Sequence, residues 1–249
     1  MQKITTTIHT KNRMQYIALP DADKNRPLSF YLAMEEYVAR QMDVDDGFFF
    51  WQVSPTVIFG RHQSVGNEVN EAYCRHHGIS MFRRKSGGGC VYADQNNLML
   101  SFVTTGEQVG LAFNRFVNML LLVLRKMGVQ AVGTSHNDVL IDGRKVSGTA
   151  CYQLPGRSIV HGTLLYDTDM EHMLHAITPG EEKLQQKGIQ SVRQRITLLK
   201  DHVTLSLDEV KVLIRQTLCN GEHRLTASDV AAIEQIEQGY LRDEFIHLL

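Results

Sequence analysis

The chain has 249 residues, 43% of them hydrophobic and 21% charged, with a formal net charge of −1. That length holds one large domain or two small ones, and the composition is ordinary for a globular protein. Near-neutral charge supplies no bulk electrostatic argument for nucleic acid or a membrane surface as partner.

Cys74, Cys90, Cys151 and Cys219 share no C-x-x-C spacing, which argues against a zinc knuckle or a thioredoxin-type pair and makes free thiols the expectation. The N-terminus from Met1 to Thr7 lacks an apolar segment of the secretory kind. The longest apolar run, Met119 to Leu124, is far short of the ~20 residues that span a bilayer. The expectation is a cytoplasmic protein.

Leu28, Tyr31, Leu32 and Val38, with Glu35 on the same stripe, predict a helix over 28–42. Phe48 to Val53 and Thr56 to Phe59 are strand-like, separated by the turn Ser54-Pro55. Glu71 to His77 reads as a short helix ended by Gly78. Ile79 to Phe82 and Leu98 to Val103 are strand-like. Leu111 to Met127 is amphipathic and stopped by Gly128. Asp138 to Ile141 enters a hairpin whose Asp142-Gly143 is a type I′ signal, returning as Arg144 to Gly148. Ile159 to Tyr166 is a further strand. Ser206 to Leu218 opens on a capping box with Glu209, and Thr226 to Gly239 is a second terminal helix. The mixed order, with no internal repeat, predicts one α+β domain with a mixed, largely antiparallel sheet flanked by helices.

The run Arg83-Arg84-Lys85-Ser86-Gly87-Gly88-Gly89-Cys90-Val91-Tyr92 carries the clearest chemistry. Three glycines let a ligand lie against the main chain and free N–H groups to converge on an anion. The cations just before them would neutralise a phosphate or carboxylate. Neither a Gly-x-x-x-x-Gly-Lys-Ser/Thr loop nor a Gly-x-Gly-x-x-Gly fingerprint is present. Gly60-Arg61-His62-Gln63 follows a strand, Asn137-Asp138 opens the hairpin, Lys145 lies on its return arm, and His161-Gly162-Thr163 sits mid-strand, where a glycine marks a close approach.

Taken in order, these segments resemble the lipoate–protein ligase A family. The matching residues are Leu28 to Glu36; Gly60-Arg61-x-Gln63; Arg83-Arg84-x-Ser86-Gly87-Gly88-Gly89-x-Val91-Tyr92-x-Asp94; Asn97 to Phe102; Asn137-Asp138; Gly143 to Ala150; His161 to Leu165; and Lys183-Leu184 through Arg195-Ile196. The resemblance implies the biotinyl/lipoyl protein ligase catalytic fold. It implies condensation of lipoate and ATP to lipoyl-adenylate, then transfer to a lysine of a lipoyl domain: the E2 subunits of 2-oxoacid dehydrogenases or the H protein of glycine cleavage. It makes Lys145 the central cation, contacting the acyl carbonyl and the phosphate. Arg84 would contact ATP, and Gly89, Cys90, Val91 and Tyr92 would lie along the nucleotide. Asn137 would read the adenine edge, and Asp138 is the candidate for Mg²⁺. Gly87, Gly88, His161 and Gly162 would line the lipoyl tunnel, with Ser86, Ser147, Gly148 and Thr163 beside it. For His161, a satisfied core histidine is an equal reading.

The sequence departs from the family at Ala93-Asp94-Gln95-Asn96-Asn97, usually His-Asp-x-Gly-Asn, at Gln63-Ser64, and at Cys151-Tyr152-Gln153. Full bacterial ligases also carry a small C-terminal accessory domain, which the resemblance implies is absent from a single catalytic domain over 1–249. Activation would then need a separate accessory protein, or the chain would transfer lipoyl from a preformed adenylate. Two rival readings stand beside the ligase. One is a lipoyl or octanoyl transferase working through a cysteine thioester on Cys90 or Cys151, although Val132 to His136, where one branch places its cysteine, holds none. The other is a non-catalytic lipoate-binding protein.

Overall fold

The computed structural model describes residues 14–21, 24–106, 108–135, 138–177 and 195–247. Its strands are β1 (Gln15–Ala18), β2 (Asp46–Trp51), β3 (Thr56–Phe59), β4 (Ser80–Arg83), β5 (Val91–Ala93), β6 (Asn97–Thr105), β7 (Val132–Gly133), β8 (Asp138–Ile141), β9 (Arg144–Leu154), β10 (Arg157–Leu165) and β11 (Gly221–Arg224). Its helices are α1 (Leu28–Gln41), α2 (Val65–Glu68), α3 (Glu71–His76), α4 (Val109–Lys126), α5 (Met170–Ala176), α6 (Leu207–Leu218), α7 (Ala227–Glu237) and α8 (Asp243–His247).

Alternation along β6 decides the layering. Leu98, Leu100 and Phe102 enter one core with α4 and α6, while Met99 and Val103 enter another with α1 and α7. A strand hydrophobic on both faces must be covered on both. β6 is accordingly the middle of an eight-stranded sheet ordered β11-β1-β2-β6-β10-β9-β8-β7. The pairings of β1 with β2 and with β11 are parallel, and the others are antiparallel, so the mixed, largely antiparallel expectation holds.

A separate three-stranded sheet, β4-β3-β5, packs its own core of Val57, Phe59, Cys74, Ile79 and Tyr92. The glycine run leaves the small sheet at β4 and returns to it as β5. β9 also runs to Leu154, well past Gly148, because it keeps pairing with β10 out to Arg157. Asp142 and Gly143 take φ of 49° and 74°, as the type I′ signal requires. The capping box at Ser206 and Glu209 forms, and Thr226 with Asp229 makes a second one.

Candidate active site

The register of the large sheet lays one row of residues across five strands: Trp51 on β2, Met99 on β6, Thr163 on β10, Gly148 on β9 and Asp138 on β8. All five line one cavity of about 280 Å³, close to the range of small-molecule sites. Leu32 from α1, Ile58 from β3 and Val91 from β5 roof its apolar end. The row therefore passes from an indole and a thioether to a hydroxyl, a bare backbone and a carboxylate. A ligand with a greasy tail and a polar head fits that sequence of groups.

Lys145 reaches the polar end through a backbone irregularity. In a regular strand, residues three apart face opposite ways. A register shift between Val139 and Leu140 pairs Leu140 with Lys145 and drops Val146 into the α4-side core. Bulges re-aim side chains in this way. The result puts Lys145 on the same face as Gly148, so close that a Cβ at 148 would stand 2.7 Å from its Cε and Nζ. Thr197 N–H donates to the Lys145 carbonyl at 3.0 Å, and Nζ pairs with Asp138 Oδ1 at 2.8 Å.

The glycine run forms the other wall. Arg84 is buried and turned under the loop, donating to the carbonyls of Gly87 and Gly89, each at 2.7 Å, and of Ile58 at 3.1 Å. Burial lowers its guanidinium to about 10, with Cys90 acting in the opposite sense, so it stays charged at neutral pH. Ser86 carbonyl accepts from Arg61 N–H at 2.9 Å. Loop acceptors are thus committed inward, whereas the N–H groups of Gly87, Gly88 and Gly89 have no partner among the described residues. Unpaired consecutive amides make an anion receptor.

The other two cations do not face this receptor. Arg83 donates to the carbonyls of Gly60, Arg61, Gln63 and, through Nε at 2.9 Å, Ile246. Lys85 is bonded to Glu36, which also accepts from Tyr240, and its ammonium stands 4.5 Å above the Tyr240 ring. These two hold the loop's framework, a correction to the reading of three cations gathered for one ligand.

Sequence reasoning passed over the group at the centre, Glu35 on α1. Its carboxylate is fully buried, accepts from Ser101 Oγ at 2.6 Å, and lies 2.9 Å from His161 Nδ1. His161 Nε2 is 2.7 Å from Ser86 Oγ. Ser101 in turn accepts from Trp51 Nε1 at 2.9 Å. The only sequence signal was an acid on the apolar stripe of a helix, which a buried charge with partners explains. His161 both lines the cavity and is a satisfied core histidine.

Of the residues singled out in the sequence, Arg84, Gly88, Gly89, Cys90, Val91, Asp138, Lys145, Gly148, His161, Gly162 and Thr163 line the cavity. Ser86 and Ser147 are fully buried beneath it, and Gly87 is exposed beyond it. Tyr92 turns its ring away into the small sheet's core. Gly162 is bare for a different reason from the one expected: a Cβ there would meet Phe116 of α4 and the Gly148 carbonyl, each at 3.0 Å. Asn137 and the stretch 178–194, which includes most of the Lys183 to Ile196 motif, lie outside the described residues.

Residues 27–219 match the model of the lipoyl protein ligase A/B catalytic domain. The chain belongs to that family. Lipoate-protein ligase LplJ of Bacillus subtilis (strain 168) is 32% identical to this family member over 218 residues, which are 83% of this chain and 66% of that protein. The chain thus spans just under two thirds of that relative's length. A structure of a bi-partite lipoate protein ligase and its E2 lipoyl domain from Thermoplasma acidophilum superposes with a TM-score of 0.82 at 24% identity, covering 94% of this chain and 96% of that one. Lipoate-protein ligase A bound with ATP gives 0.80 at 23%, over 95% and 100%. At those identities the two structures establish the lipoyl ligase fold. In this member of the family, Cys90 and Cys151 are poor nucleophiles, because burial pushes their thiols up to about 12 and about 11.

Proposed function

We propose that the chain is a lipoate–protein ligase. It would condense lipoate with ATP to lipoyl-adenylate and pyrophosphate, then pass the lipoyl group to a lysine of a lipoyl domain, releasing AMP. The five-strand row carries this reading: its apolar end suits an aliphatic dithiolane acid, and its polar end, beside free loop amides and Lys145, suits a phosphate.

In the first step a lipoate carboxylate oxygen attacks the α-phosphorus and the bond to pyrophosphate breaks. Two anions must meet, so a fixed cation between them lowers the barrier. Lys145 is the cavity's lysine, and leaving Asp138 for the substrates would place its charge there. In the second step the acceptor amine attacks the acyl carbon and AMP leaves. Arg84 would act by holding the loop amides toward the phosphate.

Mg²⁺ carried by ATP phosphates typically takes only one or two protein carboxylates. Asp138, the carboxylate lining the cavity, fits that limited role, and the ion it would help hold would neutralise phosphate charge. No cluster of three His, Cys, Asp or Glu among the described residues could hold a metal alone. E2 lipoyl domains and the glycine cleavage H protein are the proposed acceptors, in the cytoplasm. No helix among the described residues is long and apolar enough to cross a membrane. A separate accessory protein is a further proposed partner, and the likeness to a ligase described as bi-partite is what supports it.

The test is the intact mass of a lipoyl-domain acceptor after incubation with the chain, lipoate and Mg-ATP. An ATP-dependent lipoyl increment supports a self-sufficient ligase. An increment only with synthetic lipoyl-adenylate supports a transferase half needing a partner. No increment with either overturns the proposal.

A further inference from the structure

Ser86, His161 and Glu35 have the hydrogen-bond order of a nucleophile, a base and an orienting acid, with steps of 2.7 Å and 2.9 Å. Burial decides against that use: Ser86 is 0% exposed and its side chain lines no part of the cavity, so no acyl group can reach its Oγ. The chain of bonds does something else. In a neutral imidazole one nitrogen donates and the other accepts. A carboxylate can only accept, so it takes the Nδ1 proton and leaves Nε2 to receive the Ser86 hydroxyl. Ser86 is the residue from which the three glycines spring, and its own carbonyl is fixed by Arg61 N–H.

A second branch leaves the same carboxylate. Ser101 donates to Glu35 Oε1 and accepts from the Trp51 indole N–H, while the Trp51 ring stacks on Tyr31 at 4.9 Å between centroids. Trp51 is the apolar end of the cavity. One buried acid therefore ties the loop that presents free amides to the wall that would receive the acyl chain.

We infer that Glu35 is a positioning residue that sets the distance between the two halves of this site, through His161 and Ser86 to the glycine loop and through Ser101 to Trp51. Its kinetic consequences rest on the ligase reading; its structural core does not. Glu35→Gln offers one oxygen and one N–H₂, so Ser101 keeps an acceptor while His161 meets a donor. The ring must then carry its proton on Nε2, facing a serine that was donating to it.

The experiment compares the full chain with Glu35→Gln, Ser86→Ala and Ser101→Ala. It measures His161 ring ¹⁵N shifts, ATP and lipoate affinities by calorimetry, and KM and kcat with acceptor. The wild-type ring should carry its proton on Nδ1, and Glu35→Gln should move it to Nε2 and weaken both ligands about tenfold, the scale of one hydrogen bond lost to each. Ser86→Ala should weaken ATP about tenfold and leave lipoate within twofold; Ser101→Ala should do the reverse. If Glu35→Gln fails to fold, the two serine variants carry the test. A wild-type ring protonated on Nε2, or serine variants that lower melting temperature while both affinities stay at the wild-type value, would overturn the inference. Loss of ligation in the wild type would instead sink the ligase reading, with the ring measurement still decisive here.

Discussion

Gly60 faces the carbonyl oxygen of Gly88 so closely that a Cβ at position 60 would stand 2.2 Å from it. Backbone, not a flexible side chain, is the obstacle, so Gly60→Ala must displace the glycine loop. A loss of about 1–3 kcal/mol in stability is expected, typical of overpacking. Weaker ATP binding should accompany it in calorimetry, whereas wild-type affinity would show that the loop's placement is unimportant.

Gly148→Ala makes the opposite kind of crowding. Its Cβ would meet the mobile end of Lys145 at 2.7 Å, which can swing away at little cost to the fold. The melting temperature should stay near wild type while kcat/KM falls about tenfold or more, because the cation has left its place. A variant as active as wild type would mean that Lys145 works from another position.

Lys145→Ala should cut lipoyl transfer about 10²–10³-fold, the usual cost of a lost transition-state contact. Its side chain is 40% exposed and, among the described residues, pairs only with Asp138, so unfolding should be within about 0.5 kcal/mol of wild type. Wild-type transfer rates in the mass assay would remove the lysine from the mechanism.

Cys90→Ser and Cys151→Ser should each retain activity within about threefold. Thiols held at about 12 and about 11 are overwhelmingly protonated at pH 7 and attack slowly. Abolition of transfer by either change, with an acyl-thioester mass on the wild type, would restore the cysteine route.

Stability should decline on the alkaline side. Burial raises Cys90, Cys151 and Cys219 from an ordinary value near 9 to about 12, 11 and 12, and it raises Cys74 as well. Between those values the folded chain binds protons that the unfolded chain has released. The contribution is therefore complete below about pH 9 and is lost as pH climbs through 11 to 12. Melting temperatures taken from pH 8 to 11 should fall from pH 9 onward. A flat profile would mean that the thiols ionise freely in the fold.

The elements with a strong period were legible in the sequence. α1, α4 and β6 fall within two residues or so of their expected spans because burial dictated their patterns. β11 was missed because Glu222, His223 and Arg224 are exposed and carry no alternation, so that its pairing with β1, itself missed as a four-residue strand, is what makes it a strand. At the site, the identities of Lys145 and the glycines were visible but their geometry was not. The bulge that turns Lys145 toward Gly148 arises from the packing of Val146 against α4, a tertiary cause. Glu35 was hidden by its position on an apolar stripe, where a charge reads as an interruption rather than a hub.

Arg83 and its partner Ile246 are 163 residues apart, and Tyr240 reaches Glu36 across 204. During synthesis the glycine loop thus leaves the ribosome long before the carbonyl that receives Arg83 exists. At about 5–20 residues per second the delay is roughly ten to thirty seconds. Throughout that interval each of the loop's two framework cations keeps its upstream partners but lacks a late one, Arg83 the Ile246 carbonyl and Lys85 the Tyr240 ring, so the framework under the glycine loop is completed only after α7 and α8 have been made.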